Sequence, residues 1–283
     1  MASETQTVPN IRLRGDVDIP QLGFGVFQVP PDETAEAVKL ALQAGYRHID
    51  TAAAYKNETG VAEAIKSAGV SRDEVFVTTK CFNDDHGYED ATKALDMSLE
   101  RLGFDHVDLY LIHWPVPSKD LYVETWRALI DAQKAGKARA IGVSNFKPPH
   151  LERIIDETGV TPAINQVELH PYLQQGELRA FHEEHGIVTE AWSPIAQGKV
   201  LDDATITQIA ETHAKSPAQV VIRWHLQLGN VVIPKSVTPK RIEENFDVFD
   251  FELSEAEMEA IARLNRDERI GPDPDTFVRP PAR

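Results

Sequence analysis

Four polar residues of different types lie close behind runs of apolar residues that predict buried strands. Asp50 ends the run Y-R-H-I-D, Lys80 follows V-F-V-T-T, His113 follows V-D-L-Y-L-I, and Tyr55 comes shortly after Asp50. A phenol has an ordinary pKa of about 10, and an adjacent ammonium group lowers it. A carboxylate would hold that ammonium in place, and an imidazole could hydrogen-bond a substrate oxygen. Together these groups could protonate an oxygen as negative charge develops on a carbonyl.

Each of the four residues also has an ordinary structural role when it is considered alone. Asp50 could cap a helix, Lys80 could be a solvated charge, and His113 could be a hydrogen-bonded core residue. A barrel hydrolase or isomerase that uses Asp50 and His113 is a second functional alternative. Four such residues at one rim of a barrel favour a catalytic site over these separate roles.

A basic cluster stands out in a chain whose formal net charge is −16. Lys235, Lys240 and Arg241 lie within seven residues of one another, with Ser236 among them. The cluster could be a solvated charged loop, or it could bind a phosphate group, for which arginine is well suited. A glycine-rich dinucleotide loop is not indicated, because Gly23 and Gly25 lack the third glycine of that pattern.

The elements that must position these residues alternate regularly along the chain. Predicted strands cover residues 21–29, 46–50, 75–79, 107–112, 138–143, 163–169, 187–192 and 231–234. Predicted helices cover 34–44, 91–102, 122–135, 151–157, 177–185, 205–213, 218–228 and 255–264. Alternating strands and helices require parallel strands joined by right-handed crossovers. An open doubly wound sheet is the alternative, but eight such units favour a single-domain (β/α)8 barrel, with catalytic groups at the C-terminal ends of its strands.

Composition excludes several other classes of protein. The 283 residues include 45 acidic and 29 basic ones, so we expect no binding to nucleic acid or to an anionic membrane surface. Cys81 is the only cysteine, which excludes an intramolecular disulfide and a multi-cysteine metal site, and we expect no metal. No signal peptide or membrane-spanning run is indicated, so we expect a cytoplasmic protein and a monomer. Residues 271–283 are predicted to be a loose C-terminal tail of the single domain.

Three segments resemble the signatures of the aldo-keto reductase family. They are G-Y-R-H-I-D-T-A-A-A-Y-K-N-E at 45–58, K-A-R-A-I-G-V-S-N-F at 137–146 and I-P-K-S-V-T-P-K-R-I-E-E-N at 233–245. The resemblance runs from about residue 21 to residue 277 and is closest to the short prokaryotic branch that includes 2,5-diketo-D-gluconate reductases. It implies a (β/α)8 barrel that uses NADPH to reduce aldehydes and ketones. Some members of the broad family are slow-turnover auxiliary subunits that sense the redox state of the cofactor, and this is the alternative function.

The resemblance also implies roles for individual residues. Tyr55 would be the general acid, Lys80 and Asp50 would adjust its pKa, and His113 would orient the substrate. The implied NADP(H) contacts are Ser144, Asn145 and Gln166 to the carboxamide, Trp192 to the nicotinamide ring, Ser193, Ile195, Gln197 and Gly198 to the pyrophosphate, Lys235, Ser236 and Arg241 to the 2′-phosphate, and Glu244 and Asn245 to adenine. Phe27, Phe82 and Trp114 are the candidates for the apolar sides of the substrate pocket, although all three could instead fill the barrel core. Phe82 stands where many members have tryptophan.

Overall fold

The structure is a computed structural model and describes residues 7–278. Its strands are β1 (Asn10–Leu13), β2 (Val17–Pro20), β3 (Phe24–Gly25), β4 (His48–Asp50), β5 (Phe76–Cys81), β6 (Val107–Ile112), β7 (Ala138–Ser144), β8 (Ile164–Glu168), β9 (Val188–Trp192) and β10 (Val231–Val232). Its α-helices are α1 (Pro31–Ala44), α2 (Glu58–Ser67), α3 (Tyr88–Leu102), α4 (Tyr122–Lys134), α5 (Pro148–Thr158), α6 (Gly176–His185), α7 (Ala204–His213), α8 (Pro217–Gln227), α9 (Pro239–Phe246) and α10 (Glu255–Ala262).

Strands β3 to β10 form one parallel sheet in chain order that closes on itself. A parallel bridge between Leu22 and Val232 joins its two ends, and Gly23 N–H donates to the Val232 carbonyl at 2.9 Å. This closure confirms the predicted (β/α)8 barrel. Strands β3 and β10 have only two residues each, so they are much shorter than the runs that the sequence predicts.

A hairpin that the sequence did not predict covers the N-terminal ends of the barrel strands. Strands β1 and β2 pair antiparallel around a turn in which Gly15 and Asp16 have φ values of 82° and 62°. Leu13, Val17 and Ile19 are buried and pack in one cluster with barrel residues that include Leu109 of β6. The hairpin therefore closes the barrel end opposite to the predicted site.

Helix α9 carries Lys240 and Arg241 of the basic cluster, whereas Lys235 precedes the helix, and the sequence did not identify this segment as helical. The helix begins at Pro239. Proline has no backbone N–H, but this does not destabilise the helix, because N–H groups in the first turn have no carbonyl acceptor within the helix. Tyr46 donates its hydroxyl to the Ile242 carbonyl at 3.3 Å, and its ring lies 4.9 Å from that of Phe246. These contacts hold the helix against the barrel and leave its charged residues outside.

Strand register brings the predicted catalytic residues to one rim. Asp50 ends β4 and lies opposite Thr78 of β5, and Lys80 lies two residues further along β5. His113 follows β6 directly, and its amide donates to the Cys81 carbonyl at 3.1 Å. The C-terminal ends of parallel strands meet at the same face of a barrel, so side chains that are distant in sequence become neighbours.

Side chains from other segments bind the first residues of the C-terminal tail. Glu168 accepts hydrogen bonds from the amides of Ile270 at 2.6 Å and Gly271 at 2.9 Å. Lys147 forms ion pairs at 2.7 Å with Asp273 and at 2.6 Å with Asp275. These contacts bind the chain between residues 270 and 275, and the looseness expected of residues 271–283 as a whole stays a prediction. Residues 279–283 of the predicted tail lie outside the described residues.

Candidate active site

The base of the site is an ion pair between Lys80 and Asp50. Lys80 Nζ donates to Asp50 Oδ1 at 2.7 Å, to Asp50 Oδ2 at 2.8 Å and to the Thr51 carbonyl at 2.8 Å. All three residues are buried. Burial alone would lower the pKa of Lys80, but the nearby Asp50, Tyr55 and Glu190 raise it above its ordinary value. Lys80 therefore keeps its positive charge inside the barrel.

Tyr55 lies above this pair at the end of a short 3-10 turn, Ala53–Tyr55. The turn ends at Lys56, whose left-handed backbone has φ 57°. Lys80 Nζ is 5.2 Å from the centroid of the Tyr55 ring. Burial of the phenol raises the pKa of Tyr55 to about 12, although Lys80 acts to lower it. Lys80 lowers the pKa of Tyr55, as the sequence predicts, but desolvation of the phenol outweighs the ammonium charge.

His113 completes the predicted set of four residues. Its ring centroid lies 5.7 Å from that of Tyr55, with the two planes at 75°. Burial holds the pKa of His113 well below its ordinary value, and Lys80 and His86 lower it further. Within residues 7–278, the buried Nδ1 atom of His113 has no hydrogen-bond partner. A neutral imidazole therefore stands beside the phenol.

Aromatic side chains surround these polar groups. The Phe27 ring lies 5.1 Å from Tyr55, and the Phe82 ring lies 6.2 Å from His113. Phe27 is 50% exposed, so it does not fill the barrel core, which was its alternative role. Trp114 is buried and packs at 4.4 Å against Phe277 from the tail. Phe277 was not predicted as part of the site, because nothing in the local sequence indicates that residue 277 returns to the rim.

Trp192 is held in place by Asn145. Its indole N–H donates to Asn145 Oδ1 at 2.9 Å, and Asn145 Nδ2 donates to the His113 carbonyl at 3.0 Å and to Ser144 Oγ at 3.1 Å. Ser144 Oγ in turn donates to the Gln166 carbonyl at 2.8 Å. The structure thus joins four of the predicted cofactor contacts in one network at the rim.

Glu190 also lies in the site, although it was not predicted from the sequence. Its side chain is completely buried in β9, and Oε2 accepts a hydrogen bond from Gln166 Nε2 at 2.9 Å. Burial and the nearby Asp50 together raise the pKa of Glu190 to about 8. Its position on the same face as Trp192 could have been predicted, because Glu190 lies two residues before Trp192 and residues two apart in a strand share a face.

The loop after β9 has unusual backbone geometry at the predicted pyrophosphate contacts. Ser193, Ala196 and Gln197 have positive φ values of 48°, 50° and 53°, and Gly198 has 95°. Left-handed residues in a short loop expose backbone N–H groups in concave arrangements that bind anions. Ile195 is partly buried between them. This loop fits a phosphate group better than an ordinary strand-to-helix connection would.

The basic cluster presents two cations without carboxylate partners. Lys240 pairs with Glu244 at 3.5 Å, whereas Lys235 and Arg241 form no ion pair with any residue of the range 7–278. Both are exposed, while Ser236 is 8% and Asn245 6% exposed. Exposed cations without partners in so acidic a chain fit a phosphate ligand. Glu244 and Asn245 lie on α9 with Arg241.

Residues 7–278 contain no group of three or more side chains that could hold a metal ion. Over the same range, no helix has both the length and the apolar character needed to cross a bilayer.

Comparison with known proteins identifies relatives over nearly the whole chain. A model of the Aldo/keto reductase family matches residues 21–266. Methylglyoxal reductase DkgA of Escherichia coli (strain K12) is 55% identical over 269 residues, which cover 94% of this chain and 97% of that protein. Glyoxal reductase of Bacillus subtilis (strain 168) is 53% identical over 275 residues, which cover 97% of this chain and 99% of that protein.

A solved structure agrees with the fold in detail. The crystal structure of a Gox0644 variant in complex with NADPH is 51% identical and has a TM-score of 0.93, covering 96% of this chain and 99% of that one. The family match spans most of the sequence, and the relatives are more than half identical over nearly their full length. The chain therefore belongs to the aldo/keto reductase family.

Proposed function

We propose that Tyr55, Lys80, Asp50 and His113 are the catalytic residues of this reductase. The chain is an NADPH-dependent oxidoreductase that reduces aldehydes and ketones to alcohols. The observation that supports the assignment most strongly is the buried Lys80 ammonium, fixed by both oxygens of Asp50 and lying 5.2 Å from the Tyr55 ring. Tyr55 thus combines a proton that it can donate with a fixed neighbouring charge.

Tyr55 is the proton donor in this proposal. Its pKa of about 12 means that the phenol holds its proton throughout the neutral range. When the phenol gives up that proton to the substrate oxygen, Lys80 stabilises the phenolate that remains. Asp50 holds Lys80 in position and in its charged form. Reduced nicotinamide, when bound, supplies the hydride that the carbonyl carbon accepts.

His113 orients the carbonyl group. Its depressed pKa keeps the ring neutral, so only one of its two nitrogens carries a proton. Since Nδ1 is buried, we assign the proton to Nε2, which can donate to the carbonyl oxygen at the rim. Tyr55 and His113 would then direct two donors at one oxygen, which places the carbonyl for protonation.

The rim residues suit the nicotinamide end of the cofactor. We assign Trp192 to the face of the ring and Ser144, Asn145 and Gln166 to the carboxamide. Asn145 uses both ends of its amide within the protein, so its main effect is to fix Trp192 and His113. Gln166 donates from Nε2 to carboxyl groups, which leaves Oε1 as the acceptor for the carboxamide NH₂.

The remaining contacts serve the phosphates and adenine. We assign Lys235, Ser236 and Arg241 to the 2′-phosphate, because two of them are exposed cations without ion-pair partners in the described range. The positive-φ loop would receive the pyrophosphate through Ser193, Ile195, Gln197 and Gly198. Glu244 and Asn245, on the same helix as Arg241, would contact adenine.

The substrates are small carbonyl compounds, and we propose dicarbonyls such as methylglyoxal and glyoxal among them. The relatives DkgA and the Bacillus enzyme are named for these compounds. Phe27, Phe82 and Trp114 would form the apolar sides of the pocket. We further propose a monomeric cytoplasmic enzyme that binds no nucleic acid, as the net charge of −16 favours.

Steady-state turnover separates this function from the auxiliary-subunit alternative, which the complete set of four residues does not favour. Purified protein should oxidise NADPH in the presence of methylglyoxal at a turnover number of about 1 per second or more, within the usual range of enzymes. Tight NADPH binding without measurable turnover on a panel of small aldehydes would instead support the redox-sensing function.

A further inference from the structure

Gln166 connects two carboxyl groups beneath the predicted nicotinamide site. Its Nε2 atom donates to Asp50 Oδ2 at 2.8 Å and to Glu190 Oε2 at 2.9 Å. An amide nitrogen carries two hydrogens, so these two bonds use all of its donor capacity. Gln166 is 2% exposed and Glu190 is 0% exposed, so water does not replace either bond.

Glu190 depends on Gln166 for its hydrogen bonding. Within residues 7–278, its Oε1 atom accepts no hydrogen bond, and His48 Nε2 lies 3.7 Å away from it. That nitrogen already lies 3.1 Å from Thr78 Oγ1, and burial lowers the pKa of His48 to about 4, so His48 carries no charge. Stability alone would favour an apolar residue at such a site. The burial of Glu190 therefore indicates a functional role, which it can exert through its hydrogen bond with Gln166.

The two carboxyl groups determine which way the Gln166 amide faces. If the amide were turned over, its oxygen would face Asp50 Oδ2, and the favourable bond to that carboxylate would become a repulsion. Glu190, whose raised pKa keeps its proton in the neutral range, would then have to donate that proton to the amide oxygen instead of accepting from Nε2. Asp50 alone holds the amide less firmly, because its two oxygens also accept from Lys80. The second bond, to Glu190, fixes the amide plane as well as its direction. Oε1 is then available to a ligand in a single orientation.

We propose that Glu190 is a positioning residue that orients Gln166 to receive the carboxamide of the nicotinamide ring. The inference rests on the proposed function, since it assumes that Gln166 contacts that carboxamide. It assigns no chemical step to Glu190, which acts only through the Gln166 amide. It also gives a reason for a buried acid in the middle of β9.

Two substitutions separate this task from a general effect on folding. Glu190→Leu keeps a similar volume but removes the acceptor, whereas Glu190→Gln keeps an oxygen that can accept from Gln166. The two ligands to compare are NADPH and adenosine 2′,5′-bisphosphate, which carries the 2′-phosphate but has no nicotinamide. Titrations followed by intrinsic tryptophan fluorescence give both dissociation constants for the protein without substrate.

We expect Glu190→Leu to weaken NADPH binding about fivefold to tenfold, the usual effect of one lost hydrogen bond. Binding of the bisphosphate should not change, and Glu190→Gln should recover most of the NADPH affinity. Leu109→Ala is the control for lost stability, because Leu109 is buried at the opposite end of the barrel. It should lower the melting temperature without changing the ratio of the two dissociation constants.

Equal weakening of both ligands by Glu190→Leu would overturn the inference, and so would wild-type NADPH affinity in that variant. Either result leaves the proposed function intact if the wild-type protein still oxidises NADPH with methylglyoxal and Tyr55→Phe does not. Failure of the wild-type protein to bind or oxidise NADPH would instead contradict the proposed function itself.

Discussion

Lys80 and Asp50 form a two-point ion pair inside the barrel, with Lys80 Nζ at 2.7 and 2.8 Å from the two carboxylate oxygens. Neither side chain has access to solvent beyond a few per cent. Removing one partner of such a pair leaves the other charge buried without compensation. The pair therefore serves both the stability of the fold and the electrostatics of Tyr55.

Asp50→Asn should destabilise the protein and slow the reaction. An uncompensated Lys80 ammonium inside the barrel should cost roughly 3–5 kcal/mol in the free energy of unfolding. Urea denaturation measures this cost, and Glu211→Gln is the control, because Glu211 is exposed on α7. If the two variants unfold at the same urea concentration, the ion pair does not stabilise the fold.

Arg241→Ala should weaken NADPH binding selectively. Loss of a charge-assisted hydrogen bond to the 2′-phosphate should cost about 1.5–3 kcal/mol of binding free energy. NADH, which lacks that phosphate, should bind as before. Lys240→Ala is a matched control, because Lys240 is 83% exposed in its side chain and already pairs with Glu244. Parallel losses for NADPH and NADH would show that Arg241 does not contact the 2′-phosphate.

Phe277→Ala should change substrate binding and leave the cofactor unaffected. The Phe277 ring packs 4.4 Å from that of Trp114, so its removal leaves one wall of the pocket unsupported. We expect the KM for methylglyoxal to rise about threefold to tenfold, in line with about 1 kcal/mol for a lost aromatic contact. Val278→Ala, at an exposed neighbouring position, should behave as wild type. An unchanged KM in Phe277→Ala would show that the tail does not form part of the pocket.

Glu190 should impose a pH dependence on stability. In the folded protein the carboxyl has a pKa of about 8, compared with 4.5 for the ordinary group, so the folded state retains the proton to higher pH. The free energy of unfolding should therefore fall as the pH rises from about 4.5 to about 8. Glu190→Gln cannot ionise and should lack this decrease. Urea unfolding of both proteins across that range gives the difference, and two parallel profiles would mean that Glu190 is ionised at low pH.

Much of the barrel and its rim could be predicted because the relevant signals are local. Asp50, Lys80 and His113 each follow an apolar run at the same end of a parallel strand, which is enough to place them on one face. Tyr55 was predicted from its closeness to Asp50 together with the resemblance.

Other parts depend on contacts that no local pattern reveals. Helix α9 buries only a few residues of a highly charged segment, and its partner Tyr46 is almost two hundred residues away. The tail depends in the same way on Glu168, which is more than a hundred residues from Ile270 and Gly271. The lowering effect of Lys80 on the pKa of Tyr55 could be predicted, but the larger and opposite effect of desolvation could not, because the sequence does not show how far the phenol is buried.

Turnover of Tyr55→Phe tests the central claim most directly, because this substitution removes only the hydroxyl group that donates the proton. With NADPH and methylglyoxal, kcat should fall by at least about a hundredfold, the usual contribution of a general acid. Fluorescence titration should show unchanged NADPH binding. Tyr88→Phe, at an exposed tyrosine on α3, should retain full activity. Near wild-type kcat in Tyr55→Phe would contradict its assignment as the proton donor.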